Sequence, residues 1–113
     1  MTWESLEELQ RAIREWNERN FPNTIEGSRT NCFTGIVEEV GELAHVDLKE
    51  RQGIRGYDDK AKAMVERIDA IGDILIYLIA YADYRNLDVS HVLCTTAKKV
   101  LARDWLAEKG EKD

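Results

Sequence analysis

The run Ile71–Gly72–Asp73–Ile74–Leu75–Ile76–Tyr77–Leu78–Ile79–Ala80–Tyr81–Ala82 constrains this chain more than any other stretch. Drawn as a helix it is apolar almost all the way round, so it must be covered on every side. Asp73 sits inside it, and a carboxylate buried there is costly unless a cation or donor offsets its lost hydration. Asp73 is therefore expected to be buried beside such a partner. Upstream, Glu38–Glu39–Val40–Gly41–Glu42 sets three more carboxylates among apolar neighbours. Two acidic clusters on two core-forming helices point to a divalent metal site.

At 113 residues the chain reads as one domain, residues 1–113. A monomer of that size has difficulty covering a fully apolar helix. Its longest apolar run is well short of the roughly 20 residues that span a bilayer, and no charged-then-apolar leader opens it, so neither membrane span nor signal peptide is expected. Cys32 and Cys94 have neither metal-ligand spacing nor the density of a disulfide scaffold, and read as free thiols of a cytoplasmic protein. The net charge of −6 argues against a nonspecific nucleic-acid surface or an anionic membrane as partner. It leaves room for a small polyanion, provided metal ions bridge the two sets of negative charge.

The periodicity predicts an all-α fold, an antiparallel bundle of about four helices completed by dimerisation. The first helix covers roughly Trp3 to Glu18, with Leu6, Leu9, Ile13 and Trp16 on one face. Ser5 and Glu8 have capping-box spacing, which moves the start inward. Asn20–Phe21–Pro22–Asn23 stops this helix, and a polar loop runs to about Thr30. The second spans about Asn31 to Gln52, with Phe33, Ile36, Val37, Val40, Leu43 and Ala44 as its apolar face. The third begins near Asp59, an N-cap candidate, and continues to about Arg85. After the short turn Asn86–Leu87–Asp88, the fourth runs from about Val89 to Lys109, and the tail Gly110–Asp113 is expected to fray.

At about 100° per residue, Glu38, Glu39 and Glu42 share one arc of the second helix, and Glu66, Asp69 and Asp73 share one of the third. Facing stripes of this kind supply several oxygen ligands to one or two hard cations, and Mg2+ or Mn2+ suits an all-oxygen site. Any single helical glutamate is more often a solvated one. That reading is strongest for Glu66, between Lys62 and Arg67, and weakest for Asp73. An Asp73 paired with a structural Lys or Arg is the remaining alternative.

The string EEVGELAH (Glu38–His45) followed by DAIGDILIYL (Asp69–Leu78) resembles the MazG-type all-α nucleoside triphosphate pyrophosphohydrolases. Their pattern is E-E-x-x-E on one helix and E-x-x-D on the next. LKERQGIRG (Leu48–Gly56) and K-x-x-x-R-D-W (Lys99–Trp105) also resemble short members of that superfamily, so the likeness covers nearly the whole chain. By position, Glu38, Glu39 and Glu42 match the first motif and Asp73 matches the last residue of the second. The chain departs from the pattern at Ala70, where the family has Glu. Asp69 stands in for it one turn before Asp73, and Glu66–Arg67–Ile68–Asp69 offers an alternative register.

The resemblance implies hydrolysis of a nucleoside triphosphate between its α and β phosphates, with Mg2+ or Mn2+ as cofactor. Glu39, Glu42, Asp69 and Asp73 would be the metal ligands and Glu38 the group that orients or deprotonates water. Lys99 and Arg103, at i and i+4 on the fourth helix, would grip the triphosphate, with Lys49 a weaker candidate. A homodimer or tetramer is implied as well. Trp16, Phe21 and Trp105 are candidates for stacking on a base, although their spacing also suits core or interface positions. Two other classes stand beside this one. Glu42–Leu43–Ala44–His45 spells the E-x-x-H unit of di-iron bundles, with a poor second copy at Asp88–His91. A non-enzymatic helical adaptor would use the buried acids for partner specificity.

Overall fold

A computed structural model describes residues 2–21 and 25–107 and, of residues 25–30, the backbone alone. Those residues form four helices and no strand: α1 (Leu6–Asn20), α2 (Ile25–Gln52), α3 (Lys60–Tyr84) and α4 (Val89–Leu101). None is long and apolar enough to cross a membrane. The expected tail lies outside the described residues.

The caps explain most boundaries. Ser5 Oγ accepts from the Glu8 N–H at 3.1 Å, and Glu8 answers by accepting from the Glu4 N–H at 2.9 Å, so α1 starts after Ser5 and not at Trp3. Asp59 caps α3 by accepting from the Ala61 and Lys62 N–H groups, and Asp88 does the same for α4 at Ser90 and His91. Both α2 and α3 end on a left-handed residue, Gly53 (φ 66°) and Asn86 (φ 60°). At the end of α3, Leu87 N–H donates to Ala82 O and Asn86 N–H to Asp83 O, satisfying two carbonyls the helix leaves open.

Two boundaries differ from expectation. Helix α2 begins at Ile25, so the anticipated polar loop to Thr30 is helical over its last six residues. Those turns are polar, and a reading based on apolar spacing registers nothing there. Helix α4 ends at Leu101, not Lys109. Asp104 accepts from the Ala107 N–H at 3.0 Å, a side-chain bond that competes with continued helix. Arg103 therefore lies beyond the helix end and does not share a face with Lys99.

Within the chain, α3 packs mainly on α2, while α1 lies across α3 and α4. One core joins Ile13, Cys32, Ile79 and Ala80; another joins Val46, Tyr57 and Ala63. Gln10, buried on α1, donates to Asp83 Oδ1 and Leu87 O and accepts from the Val89 N–H, tying α1 to the α3–α4 turn. Arg14 adds a two-nitrogen ion pair to Asp83. The residues buried where α2 meets α3 are mostly small, and larger apolar side chains are left outside. Phe33, Val37 and Val40 of the expected α2 core face are exposed, as is Ala44, and only Ile36 and Leu43 are half-buried.

Gly35 of α2 lies against the Tyr77 ring of α3: a Cβ there would come within 2.6 Å of it. Gly35→Ala is expected to lower stability by about 1–2 kcal/mol, because overpacking costs about 1–3 kcal/mol and only part returns as helix propensity. Urea unfolding at fixed protein concentration measures it.

Helix α3 departs most from expectation. Its covered residues are Ala63, Ala70, Ile79 and Ala80. Met64, Ile68, Ile71, Leu75 and Leu78, alternately four and three residues apart, are each between 44% and 59% exposed. Asp73 is exposed too, contrary to the burial expected for it, because the other three helices cover only part of α3. The radius of gyration is 18.0 Å, against about 13 Å for a globular chain of this length.

Candidate functional site

The acidic faces of α2 and α3 meet. Glu39, Glu42, His45 and Val46 from α2, with Glu66, Asp69, Ala70 and Asp73 from α3, line one cleft of about 140 Å³. All four residues expected as metal ligands are therefore there. Spacing is the reason: on each helix the acids recur every three or four residues beside the residues that pack, so docking the helices aligns both stripes. Ala70 lies between Glu66, Asp69 and Asp73, and its small side chain keeps the cleft open where the family motif has Glu.

The cleft is electrostatically tense. Burial, then the charges of Asp73, Glu42 and Glu38, push the Glu39 carboxyl above its usual range. Among the described residues no Lys or Arg pairs with Asp73 or Glu42, which disfavours the structural ion pair as an account of Asp73. The donor set is all oxygen apart from His45, the chemistry that suits a hard divalent cation. No three of these groups among the described residues converge on one point as a ligand set.

Other expected residues lie elsewhere. Glu38 does not line the cleft, although its charge reaches Glu39. Lys49 is half-buried and donates to Gln52 Oε1 at 3.1 Å. Lys99 is exposed on α4, and the Arg103 guanidinium lies 5.9 Å from the Trp105 ring centre. Among the described residues the backbone of α4 does not approach that of α2. His91, needed for a second di-iron histidine, does not line the cleft.

Two features escaped sequence reasoning. The first is a larger cavity of about 720 Å³, walled by Trp3, Trp16 and Phe21 on one side and Ile76, Tyr77 and Ala80 on the other. Trp16 and Phe21 meet edge to face at 5.8 Å. Asp73 lines this cavity as well as the acidic cleft. The aromatic spacing was visible, but whether it served core or cavity was not.

The second is Tyr57, in the connection between α2 and α3. It is 7% exposed, and its hydroxyl donates to Glu66 Oε1 at 2.6 Å. That bond, helped by burial, holds the phenol in its protonated form above the usual range. A lone tyrosine in a loop carries no periodic signal that could have announced this. No family model matches the chain, and no curated protein or solved structure matches it either.

Proposed function

We propose that the protein is a metal-dependent nucleoside triphosphate pyrophosphohydrolase, cleaving between the α and β phosphates to give the monophosphate and pyrophosphate. The observation that carries this reading is the junction at Asp73. Asp73 borders both an acidic cleft suited to cation and phosphate and an apolar, aromatic-walled cavity large enough for a nucleoside. Sequence likeness to the MazG-type enzymes supports the same chemistry.

Glu39, Glu42, Asp69 and Asp73 would hold Mg2+ or Mn2+. When bound, the cation neutralises phosphate charge and acidifies water. Glu38, whose charge reaches Glu39 although it does not line the cleft, would orient or deprotonate the attacking water. Asp73 sets the register between phosphate and base, because it borders both compartments.

The protein acts as a homo-oligomer in this reading, in a cytoplasmic setting that keeps Cys32 and Cys94 as thiols. The accessible surface of 8850 Å² exceeds by about 2,500 Å² what a folded monomer of this mass exposes. The α3 stripe of Met64, Ile68, Ile71, Leu75 and Leu78 has the mean spacing of about 3.5 residues typical of helix–helix seams. A second copy is the partner we assign to it, as a dimer or as a tetramer of paired dimers. Lys99 and Arg103 would meet the leaving pyrophosphate in this reading, a role that rests on the likeness to the MazG-type enzymes.

The test is incubation with a panel of nucleoside and deoxynucleoside triphosphates, with and without Mg2+. Equal amounts of monophosphate and pyrophosphate, dependent on the cation, are expected. Orthophosphate release, or no turnover with any nucleotide, contradicts the assignment. Trp16→Ala is expected to raise KM roughly tenfold with kcat little changed, since base–aromatic stacking is worth about 1–3 kcal/mol. Steady-state kinetics on the preferred nucleotide measure it.

A further inference from the structure

Glu66 is the acid for which the solvated-helix reading seemed most natural, with Lys62 and Arg67 beside it in sequence. The structure commits both cations elsewhere. The Lys62 ammonium lies 4.4 Å from the Tyr57 ring centre and donates to Arg55 O at 3.2 Å. Arg67 donates to Asp47 and to Glu50, each at 2.7 Å, joining α3 to the end of α2. Glu66 is left facing the cleft beside Glu42, Asp69 and Asp73 with no counter-cation. Among the described residues its carboxylate accepts from Tyr57 alone.

Tyr57 is well placed to hold it. The ring is more than nine-tenths buried, packed with Val46 of α2 and Ala63 of α3. The His45 ring meets it edge-on at 5.8 Å. A side chain so confined keeps its hydroxyl in one place, and a single bond to Oε1 leaves the other carboxylate oxygen available. A carboxylate fixed through one oxygen by a rigid donor is a pre-oriented ligand, the role that outer-sphere hydrogen bonds play around metal ions.

We propose that Tyr57 is a positioning residue that holds Glu66 as a further carboxylate ligand of the cleft's divalent cation. Glu66, with Asp69, thus does the work that the family motif gives to the position of Ala70. The proposal rests on the metal-dependent reading above. It makes the α2–α3 connection part of the metal site's support.

The experiment is direct Mn2+ binding to the full chain, read by the free-ion electron paramagnetic resonance signal without nucleotide. Tyr57→Phe, Glu66→Gln and the double variant are compared with wild type. Tyr57→Phe keeps the ring and its packing, and Glu66→Gln keeps the side chain's size; circular dichroism melts confirm that each is folded. About tenfold weaker Mn2+ binding is expected for Tyr57→Phe, at least as much for Glu66→Gln, and no further loss on combining them. Wild-type affinity in both folded single variants, or additive losses in the double, overturns the proposal while leaving the metal-dependent reading intact. Absence of Mn2+ binding by the wild type overturns both. If Tyr57→Phe does not fold, Glu66→Gln decides: unchanged affinity sinks the proposal and a loss sustains the ligand role.

Discussion

Asp73→Asn is expected to lower metal-dependent pyrophosphate release by about 10²–10³-fold while leaving the fold unchanged. Cation stabilisation of transferring phosphate is worth several kcal/mol, and each 1.36 kcal/mol is about tenfold in rate. Asparagine keeps the size of the side chain but gives a neutral, weaker ligand. The fold is insulated because Asp73 is exposed in the protomer and pairs with no Lys or Arg among the described residues. Steady-state kinetics at saturating Mg2+, beside a thermal melt, separate the two effects. A folded variant with near-normal turnover would remove Asp73 from the reaction, and the reading built on its junction would fall with it. Glu42→Gln, on the facing helix, is expected to behave alike.

Leu75→Asp is expected to dissociate the oligomer. Leu75 is 52% exposed in the protomer, within the stripe from Met64 to Leu78. Losing a buried leucine costs about 2–3 kcal/mol, and desolvating the new charge adds to it. A symmetric interface suffers the change twice, so the total is about 6 kcal/mol, or roughly four powers of ten in Kd. Sedimentation across a concentration series measures this directly. The wild type should also melt at a temperature that rises with protein concentration, and the variant should not if it remains folded. Wild-type sedimentation as a monomer at micromolar concentration would remove the second copy from the description of α3.

Much of the architecture was legible because it rests on local rules. Asp59 and Ser5 announced helix starts by side-chain chemistry acting over two or three residues, and both cap as expected, while Asp88, read only as part of a turn, caps α4 in the same way. Gly53 ends α2 at a positive φ that glycine adopts freely. The first turns of α2 were hidden because they are polar, and the early end of α4 because an apolar pattern ran past Leu101 into Trp105. Spacing on two helices put forward Glu38, Glu39, Glu42, Glu66, Asp69 and Asp73; the resemblance singled out Glu39, Glu42, Asp69 and Asp73 as metal ligands, and those four reach one cleft. Lys99 and Arg103 emerged from likeness and an assumed continuous helix, which breaks between them.

The linear chain determined the helices and the two acidic stripes, since both follow from repeats of three and four residues along a single backbone. Only docking decided what the stripes became. It joined five carboxylates around one cleft, committed Lys62 and Arg67 away from Glu66, buried Tyr57 behind that acid and opened an aromatic cavity at Asp73. It also decided that α3 is not enclosed by its own chain. Helix periodicity states which residues share a face; the geometry of approach between small residues such as Gly35, Ala63 and Ala70 states what that face meets.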